Sequence, residues 1–222
     1  MLVKMKRPVP KPKPSFDLLA GSLCLDFANT LDKRQSATPE DKLDGYEALV
    51  AFGQQTGTFS HSEAHKLQRE GVRQKENAAR ILHEAAELRE LVFRILTAVA
   101  ARREVAEPDA AALNAALQKV NAGSFIAPGK TQLAWRWTEK DVCAERLLAA
   151  VVRSAAEVLT SDDIERVKRC ASAKCSWLFM DRSRSHNRRW CEMRTCGSQH
   201  KANAYYHRKA ATQKRGELPE RA

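Results

Sequence analysis

The sequence lacks the features that mark membrane proteins, exported proteins and most enzymes. No apolar run approaches the length needed to span a bilayer. The first fifteen residues contain five Lys or Arg and four Pro, but no apolar stretch with a small-residue cleavage site, so they do not form a secretory signal. Glycine-rich phosphate loops, nucleophile elbows and acid pairs at catalytic spacing are also missing. We therefore expect a protein that has no membrane contact and is not an enzyme.

Cysteine is present in the number and spacing of a metal site. Six cysteines in a chain without an export signal indicate a reducing, cytoplasmic location, where paired cysteines are more often metal ligands than disulfides. Two C-x4-C turns, separated by fifteen residues, contain four of them: Cys170, Cys175, Cys191 and Cys196. Such turns supply the four thiolates of a tetrahedral Zn²⁺. Disulfides and reduced core cysteines are the alternatives, and His186 and His200 are the substitute ligands.

The segment that carries these cysteines has too little apolar content for a core of its own. Between Cys175 and Cys191 the only apolar run extends from Trp177 to Met180, and arginines crowd the rest. Short segments of this kind usually need a metal or crosslinks to fold. Four cysteines also leave no coordination position for water on zinc. The sequence therefore predicts one structural, non-catalytic Zn²⁺ per chain.

Positive charge is concentrated outside the middle of the chain. The formal net charge is +11. Residues 1–15 contribute +5 and residues 164–222 contribute +10, whereas residues 16–163 contribute −4. A basic terminal module on a mildly acidic body is typical of proteins that bind a phosphate backbone, and a basic surface kept for solubility is the alternative.

Basic residues on and after the cysteine segment are the candidates for nucleic-acid contact. A helix is predicted from about Gln199 to Arg215, with Lys201, Arg208 and Arg215 at seven-residue intervals and alanines between them. This spacing places the three on one face, which can approach a DNA groove or stay a solvated surface. The complete candidate set for phosphates of duplex DNA is Arg182, Arg184, Arg188, Arg189, Lys201, Arg208 and Arg215.

Apolar residues at helical spacing dominate the rest of the chain. They predict helices over residues 40–55, 60–69, 76–105, 109–120 and 141–159. An alternating segment, 132–138, and the segment 125–128 before it predict a hairpin. The fold class is mainly α: an N-terminal helical domain with a small β-hairpin, followed by a small zinc-stabilised β-hairpin plus helix module.

Composition and charge divide the chain into four parts. These are a disordered basic arm (1–15), a helical domain (16–160), a zinc module (164–215) and a flexible tail (216–222). Because long apolar helices supply the helical domain with a core that the metal does not touch, we expect this domain to fold without the zinc module.

Two polar residues near the start of the helical domain suggest a pocket. Asp26 and Asn29 stand among apolar residues and share a face if the segment is helical. They are candidates for lining a small-molecule pocket. A buried pair that satisfies the end of a neighbouring helix is the alternative.

Both ends of this arrangement resemble known families. The run Cys170-x4-Cys175, Trp177-Leu178-Phe179-x-Asp181-x-Ser183 and Arg188-Arg189-Trp190-Cys191-x-Met193-x2-Cys196-Gly197 is similar to the CGNR-type zinc finger of bacterial transcription regulators. In those proteins an N-terminal ABATE domain begins with a pattern like Leu25-Asp26-Phe27-x-Asn29-Thr30. The chain departs from the naming tetrad, because Ser198 and Gln199 stand where the family has Asn and Arg. The family's arginine contact is therefore not transferred to this chain.

Three classes of function fit these observations. The resemblance implies a DNA-binding transcription regulator whose helical domain senses a small-molecule effector or forms a homodimer. The same charges would serve an RNA-binding or protein-interaction module. An enzyme is the weakest of the three, since no nucleophile, base and orienting group can be assembled from the sequence.

Overall fold

The computed structural model describes residues 15–129, 131–137, 142–202 and 205–206. Four sequence predictions lie outside these residues. They concern the arm up to residue 14, the first residue of the helix predicted over 141–159, the basic positions Arg208 and Arg215, and the tail 216–222.

Helices make up most of the described chain, which confirms the mainly α fold class. The helices that precede the zinc module are α1 (Leu23–Ala28), α2 (Tyr46–Gln55), α3 (His61–Arg73), α4 (Lys75–Ala100), α5 (Glu107–Ala122) and α6 (Glu145–Thr160). None of the helices in the described part of the chain combines the length and apolar character that crossing a membrane requires.

Helix α4 is the centre of the body, as its long apolar period predicts. It packs against each of the other five helices. Its inward stripe includes Ile81, Ala85, Val92, Ile95 and Leu96, all of which are buried. These positions follow the 3.6-residue period of a helix, so one side of the helix is removed from water along most of its length.

Local signals set two of the helix starts. Ser60 accepts a hydrogen bond from the Glu63 amide and the Glu63 carboxylate accepts one from the Ser60 amide, so the predicted capping box begins α3. Helix α5 has a proline in its first turn, where the missing N–H costs nothing. Helix α3 runs to Arg73, four residues beyond the prediction.

The prediction of a helix over residues 40–55 is wrong at its start. Glu40 and Asp41 form strand β2, which pairs antiparallel with β1 (Leu31–Asp32), and the helix begins only at Tyr46. Asp41 accepts hydrogen bonds from the Leu43 amide and from the buried guanidinium of Arg89. A side-chain hydrogen bond to the amide two residues later competes with the backbone hydrogen bonds of a helix, so the helix begins after Asp41.

The prediction that α4 extends to residue 105 is also wrong. The helix ends at Ala100, and Arg102 has a positive φ of 52°. A left-handed residue at this point reverses the backbone and prevents the next helical hydrogen bonds.

The hairpin predicted before α6 is confirmed. Strand β3 (Ser124–Pro128) pairs antiparallel with β4 (Leu133–Trp137), and Ile126 lies opposite Trp135. Trp137 packs against the body, whereas Leu133, beside the turn, is 68% exposed. The base of the hairpin is thus anchored and its far end is open to solvent.

A third hairpin carries the first cysteine. A 3₁₀ helix (Asp162–Arg166) leads from α6 into β5 (Val167–Arg169), which pairs antiparallel with β6 (Leu178–Met180). Strand β5 packs on α4 and strand β6 packs on α1. Leu178 and Phe179 are completely buried in the same cluster as the helices of the body. The expectation of a body core that the metal site does not touch is wrong, because Cys170 and Cys191 belong to this cluster too.

Candidate metal centre and basic loop

The two cysteine turns bring four sulfur atoms together. Cys170 directly follows β5, Cys175 ends the first turn, Cys191 begins the second, and Cys196 lies in a short π-helical turn, Met193–Gly197. All four sulfurs lie within 4.8 Å of one another. The Sγ of Cys191 is 3.8 Å from that of Cys175 and 3.7 Å from that of Cys196. Zinc–sulfur bonds of about 2.3 Å in a tetrahedron place the sulfurs about 3.8 Å apart, so the donor set fits Zn²⁺.

Backbone hydrogen bonds hold the turns in this arrangement. The Cys170 amide donates to the carbonyl of Trp177 at 2.8 Å, and the Ala171 amide donates to the carbonyl of Arg189 at 2.8 Å. The second bond ties the two cysteine turns to each other. In the second turn, a Cβ at Gly197 would overlap the sulfur of Met193 and lie 3.6 Å from the Trp190 ring. A larger residue at position 197 would therefore require the exposed Met193 side chain to move.

The crowded thiols cannot all ionise without a cation. Hydrogen bonds from Cys175 and Cys191 lower the pKa of the Cys170 thiol. The same contact with Cys170 raises the pKa of Cys175 and of Cys191. One thiolate is therefore favoured and further thiolates are opposed by the charge already present. A divalent cation removes this opposition, and the four cysteines would hold one structural zinc that fixes the two turns.

A buried carboxylate organises the arginine-rich loop between β6 and Cys191. Asp181 is 0% exposed and accepts hydrogen bonds from Lys168 Nζ at 2.7 Å, from the amide and hydroxyl of Ser183 at 3.0 and 2.6 Å, and from the Arg188 amide at 2.9 Å. Burial alone would raise the pKa of Asp181, but Lys168 and the other donors hold it well below its usual range. The loop is thus built around one ionised carboxylate.

Three contacts join the zinc module to the start of the body. The Asn29 amide donates to the carbonyl of Leu178 at 2.8 Å, and its oxygen accepts from the Leu178 amide at 2.9 Å. Trp177 Nε1 donates to the carboxylate of Asp32 at 2.9 Å. The Met180 amide donates to the carbonyl of Ala20 at 2.7 Å. The loops on either side of α1 thus hold the edge of β6.

Two family models match the chain, in the same order as the two parts described above. Residues 21–162 match the ABATE model, described as "putative stress-induced transcription regulator", and residues 166–209 match the CGNR zinc finger. The chain belongs to the ABATE family. The resemblance stated from the sequence is thereby confirmed, with a CGNR zinc finger after the ABATE region. A search of curated proteins finds no match.

The candidate basic residues of this ABATE protein have different surroundings. Arg182, Arg184 and Arg189 are exposed on the loop around Asp181, and Lys201 is exposed on the helical turns that follow Gly197. Arg188 instead donates to the carbonyls of Trp190 and Cys191 and lies 4.6 Å from the centre of the Phe179 ring. Its guanidinium braces the second cysteine turn from inside.

The two pocket candidates also differ from each other. Asn29 is 3% exposed, and both ends of its amide bond to Leu178. Asp26 is partly exposed and accepts a hydrogen bond from the Ala20 amide at 2.9 Å. Burial raises the pKa of Asp26 to about 6, although the bond from Ala20 opposes this. A pocket role for the pair stays a prediction, and the observed contacts of Asn29 join two parts of the fold.

Sequence reasoning missed the residues that position the loop and the module. Asp181, Lys168 and Asp32 were not singled out for function. The spacing of Asp181 and Ser183 is the signal that was available, because an Asp side chain often accepts a hydrogen bond from the backbone two residues later. No local signal identifies Asp32, since its partner Trp177 is 145 residues away along the chain.

A cavity of about 990 Å³ separates the cysteine turns from the β1–β2 side of the body. Its walls include Asp32 and Lys33 from the body and Ala173, Trp177 and His200 from the zinc module. Three of the four site cysteines also contribute to the wall: Cys175, Cys191 and Cys196.

Proposed function

We propose that this ABATE protein is a transcription regulator whose zinc finger binds the phosphate backbone of duplex DNA. The supporting observation is the loop around Asp181, which presents Arg182, Arg184 and Arg189 to solvent beside the cysteine site. Guanidinium groups are suited to phosphate oxygens, because they donate several hydrogen bonds in a fixed plane. A loop fixed before binding loses little conformational freedom when it meets DNA.

We propose that base recognition takes place at the turn after the last cysteine. Gln199 is exposed and stands where the family has arginine. A glutamine amide can pair with both polar groups of an adenine edge, whereas arginine favours guanine. We therefore propose an altered sequence preference relative to family members that keep the arginine.

Selection from random duplexes with the zinc-loaded full chain tests this function. Enrichment of a common sequence, and weaker binding of that sequence by Cys175→Ser, would support it. Cys143→Ser is the matched control, because Cys143 lies outside the site. If the Cys175→Ser variant binds as well as the parent, or if neither binds at low salt, a protein-interaction role for the zinc finger replaces DNA binding.

Single-stranded nucleic acid is the second candidate, and one observation favours it. Tyr205 and Tyr206 are 57% and 67% exposed, with ring centres 5.8 Å apart. Exposed aromatic rings can stack on unpaired bases of RNA or DNA. Competition separates the candidates: an unlabelled single strand should displace bound duplex poorly if duplex is the ligand, and efficiently if the tyrosines stack on bases.

We further propose that the body provides the regulatory input, through a small-molecule effector or a homodimer contact. The proposed location of the protein is the cytoplasm. Asp26 is the member of the proposed pocket that keeps some exposure. Sedimentation measurements of the zinc-loaded chain test the dimer. A thermal-shift screen with Asp26→Ala as the reference variant tests the effector, since a ligand at this site should stabilise the parent and not the variant.

A further inference from the structure

The cysteine site is protected on one side and open on the other. Cys170 and Cys191 are each only 5% exposed, whereas Cys175 and Cys196 are partly exposed. Cys175, Cys191 and Cys196 line the large cavity between the cysteine turns and the body, and Cys170 does not. A small molecule in this cavity can therefore reach Cys175 and Cys196 without any change in the fold of the body.

Cys191 lies between the two accessible sulfurs. Its Sγ is 3.8 Å from Cys175 and 3.7 Å from Cys196. A disulfide needs a sulfur–sulfur distance of about 2.05 Å, so either pair must close by roughly 1.7 Å. Cys175, Cys191 and Cys196 all lie in turns and not in strands, so this movement leaves β5 and β6 in place.

We propose that Cys175 and Cys196 form a modification site for hydroperoxides, and that Cys191 completes a disulfide with whichever of them is oxidised. The proposal requires the metal site but not DNA binding. Thiolates are the reactive form of cysteine, and exposed thiolates beside a second cysteine are the ones that oxidise reversibly. Cys24, by contrast, is completely buried and cannot be reached by a peroxide.

The chemistry balances with a hydroperoxide as the only added oxidant. The thiolate sulfur attacks one peroxide oxygen, a sulfur–oxygen bond forms, the oxygen–oxygen bond breaks, and the departing oxygen takes a proton from water. The Cys191 thiolate then attacks the sulfenic sulfur and expels hydroxide, which is protonated to water. Two thiolates lose two electrons and the peroxide gains them. The two remaining thiolates cannot hold zinc tightly, so the metal leaves.

Loss of the metal would act on the basic surface through one turn. The carbonyl of Arg189 accepts the hydrogen bond from Ala171 that ties the two cysteine turns together. Lys201 follows the last cysteine by five residues. Arg189 and Lys201 are no longer held in fixed positions once Cys191 has formed a disulfide with Cys175 or Cys196 and the zinc has left. Asp181 and its hydrogen-bond donors stay attached to the buried β5–β6 hairpin.

Hydrogen peroxide added to the zinc-loaded full chain tests the proposal. A metallochromic indicator measures released zinc, and peptide mass mapping identifies the disulfide. We expect one zinc released for each disulfide formed, with Cys191 in every disulfide and recovery of zinc binding after reduction. A disulfide that contains Cys170, or zinc release without any disulfide, would overturn the proposal.

A bulky side chain in the cavity separates access through the cavity from general oxidation. Ala173 lines the cavity, whereas Ala115 is exposed on α5 and lies outside its lining. Ala173→Phe should slow zinc release by peroxide severalfold, while Ala115→Phe should leave it near the parent rate. A chelator competition first shows that both variants keep the parent's zinc affinity. Equal rates for the two variants would mean that the cavity is not the route.

Discussion

Asn29 and Leu178 form a paired contact in which one side-chain amide satisfies both backbone groups of a strand residue. The two hydrogen bonds are 2.8 and 2.9 Å long and join positions 149 residues apart in the chain. Asn29 thus acts as an additional strand partner for β6 in the interior of the protein. Through this contact the ABATE region and the zinc finger share their stability.

Replacement of Asn29 should therefore destabilise the whole protein. Asn29→Ala leaves the buried N–H and C=O of Leu178 without partners, which should cost about 2–4 kcal/mol of unfolding free energy. Urea unfolding of the zinc-loaded protein measures the loss. Asn114→Ala, on the exposed side of α5, is the control and should change stability by no more than about 0.5 kcal/mol. Equal effects of the two substitutions would show that the contact does not carry stability.

Elemental analysis should find one zinc per chain. Cys175→Ser removes one of four ligands and should abolish stoichiometric metal, whereas Cys143→Ser should keep it, because Cys143 lies in the segment before α6. Retention of zinc by Cys175→Ser would point to a substitute ligand, and His200, which lines the adjoining cavity, would be the first to examine.

Removal of zinc should loosen the cysteine turns before anything else. The strands β5 and β6 are buried against α4 and α1, so a chelator should leave most of the helical circular dichroism. Hydrogen exchange should rise in residues 171–177 and 190–199 and stay low in β6. Because the hairpin shares the core of the body, thermal stability should fall as well. A complete and cooperative loss of helical signal on chelation would contradict this prediction.

The sequence was informative about the parts of this molecule that depend on local pattern. The cysteine spacing, the capping box at Ser60 and the apolar period of α4 each describe neighbours within a few turns, and the structure confirms all three. Contacts between distant residues have no such signature. The ion pair between the exposed Asp41 and the buried Arg89 replaced a predicted helical turn, and Asn29 bonded to β6, because partners 48 and 149 residues away supplied the deciding interactions.

Asp26 should make stability depend on pH. Its pKa in the folded protein is raised to about 6 by burial, and an unfolded Asp titrates near ~3.9. The stabilising contribution of the neutral carboxyl is therefore fully present below about pH 4 and is lost as pH rises through about 6. Asp26→Asn keeps an oxygen for the Ala20 amide and removes the titration.

The variant should thus be as stable as the parent near pH 4 and more stable, by about 1–2 kcal/mol, near pH 7. Urea unfolding at both pH values, with zinc present throughout, measures the difference. Comparison at equal pH cancels the effect of acid on the cysteine ligands. A constant difference between variant and parent across this range would show that Asp26 has no raised pKa.

The salt dependence of duplex binding tests most directly whether the zinc finger holds DNA through its exposed basic residues. Each neutralised phosphate contributes about 0.9 to the slope of log affinity against log salt. Arg189→Ala and Lys201→Ala should each lower the slope by about one unit and weaken all duplex sequences alike. Arg69→Ala, on the exposed side of α3, is the control and should leave the slope unchanged. If Arg189→Ala and Lys201→Ala keep the parent slope, or if the parent does not bind duplex at low salt, the DNA-binding account is wrong.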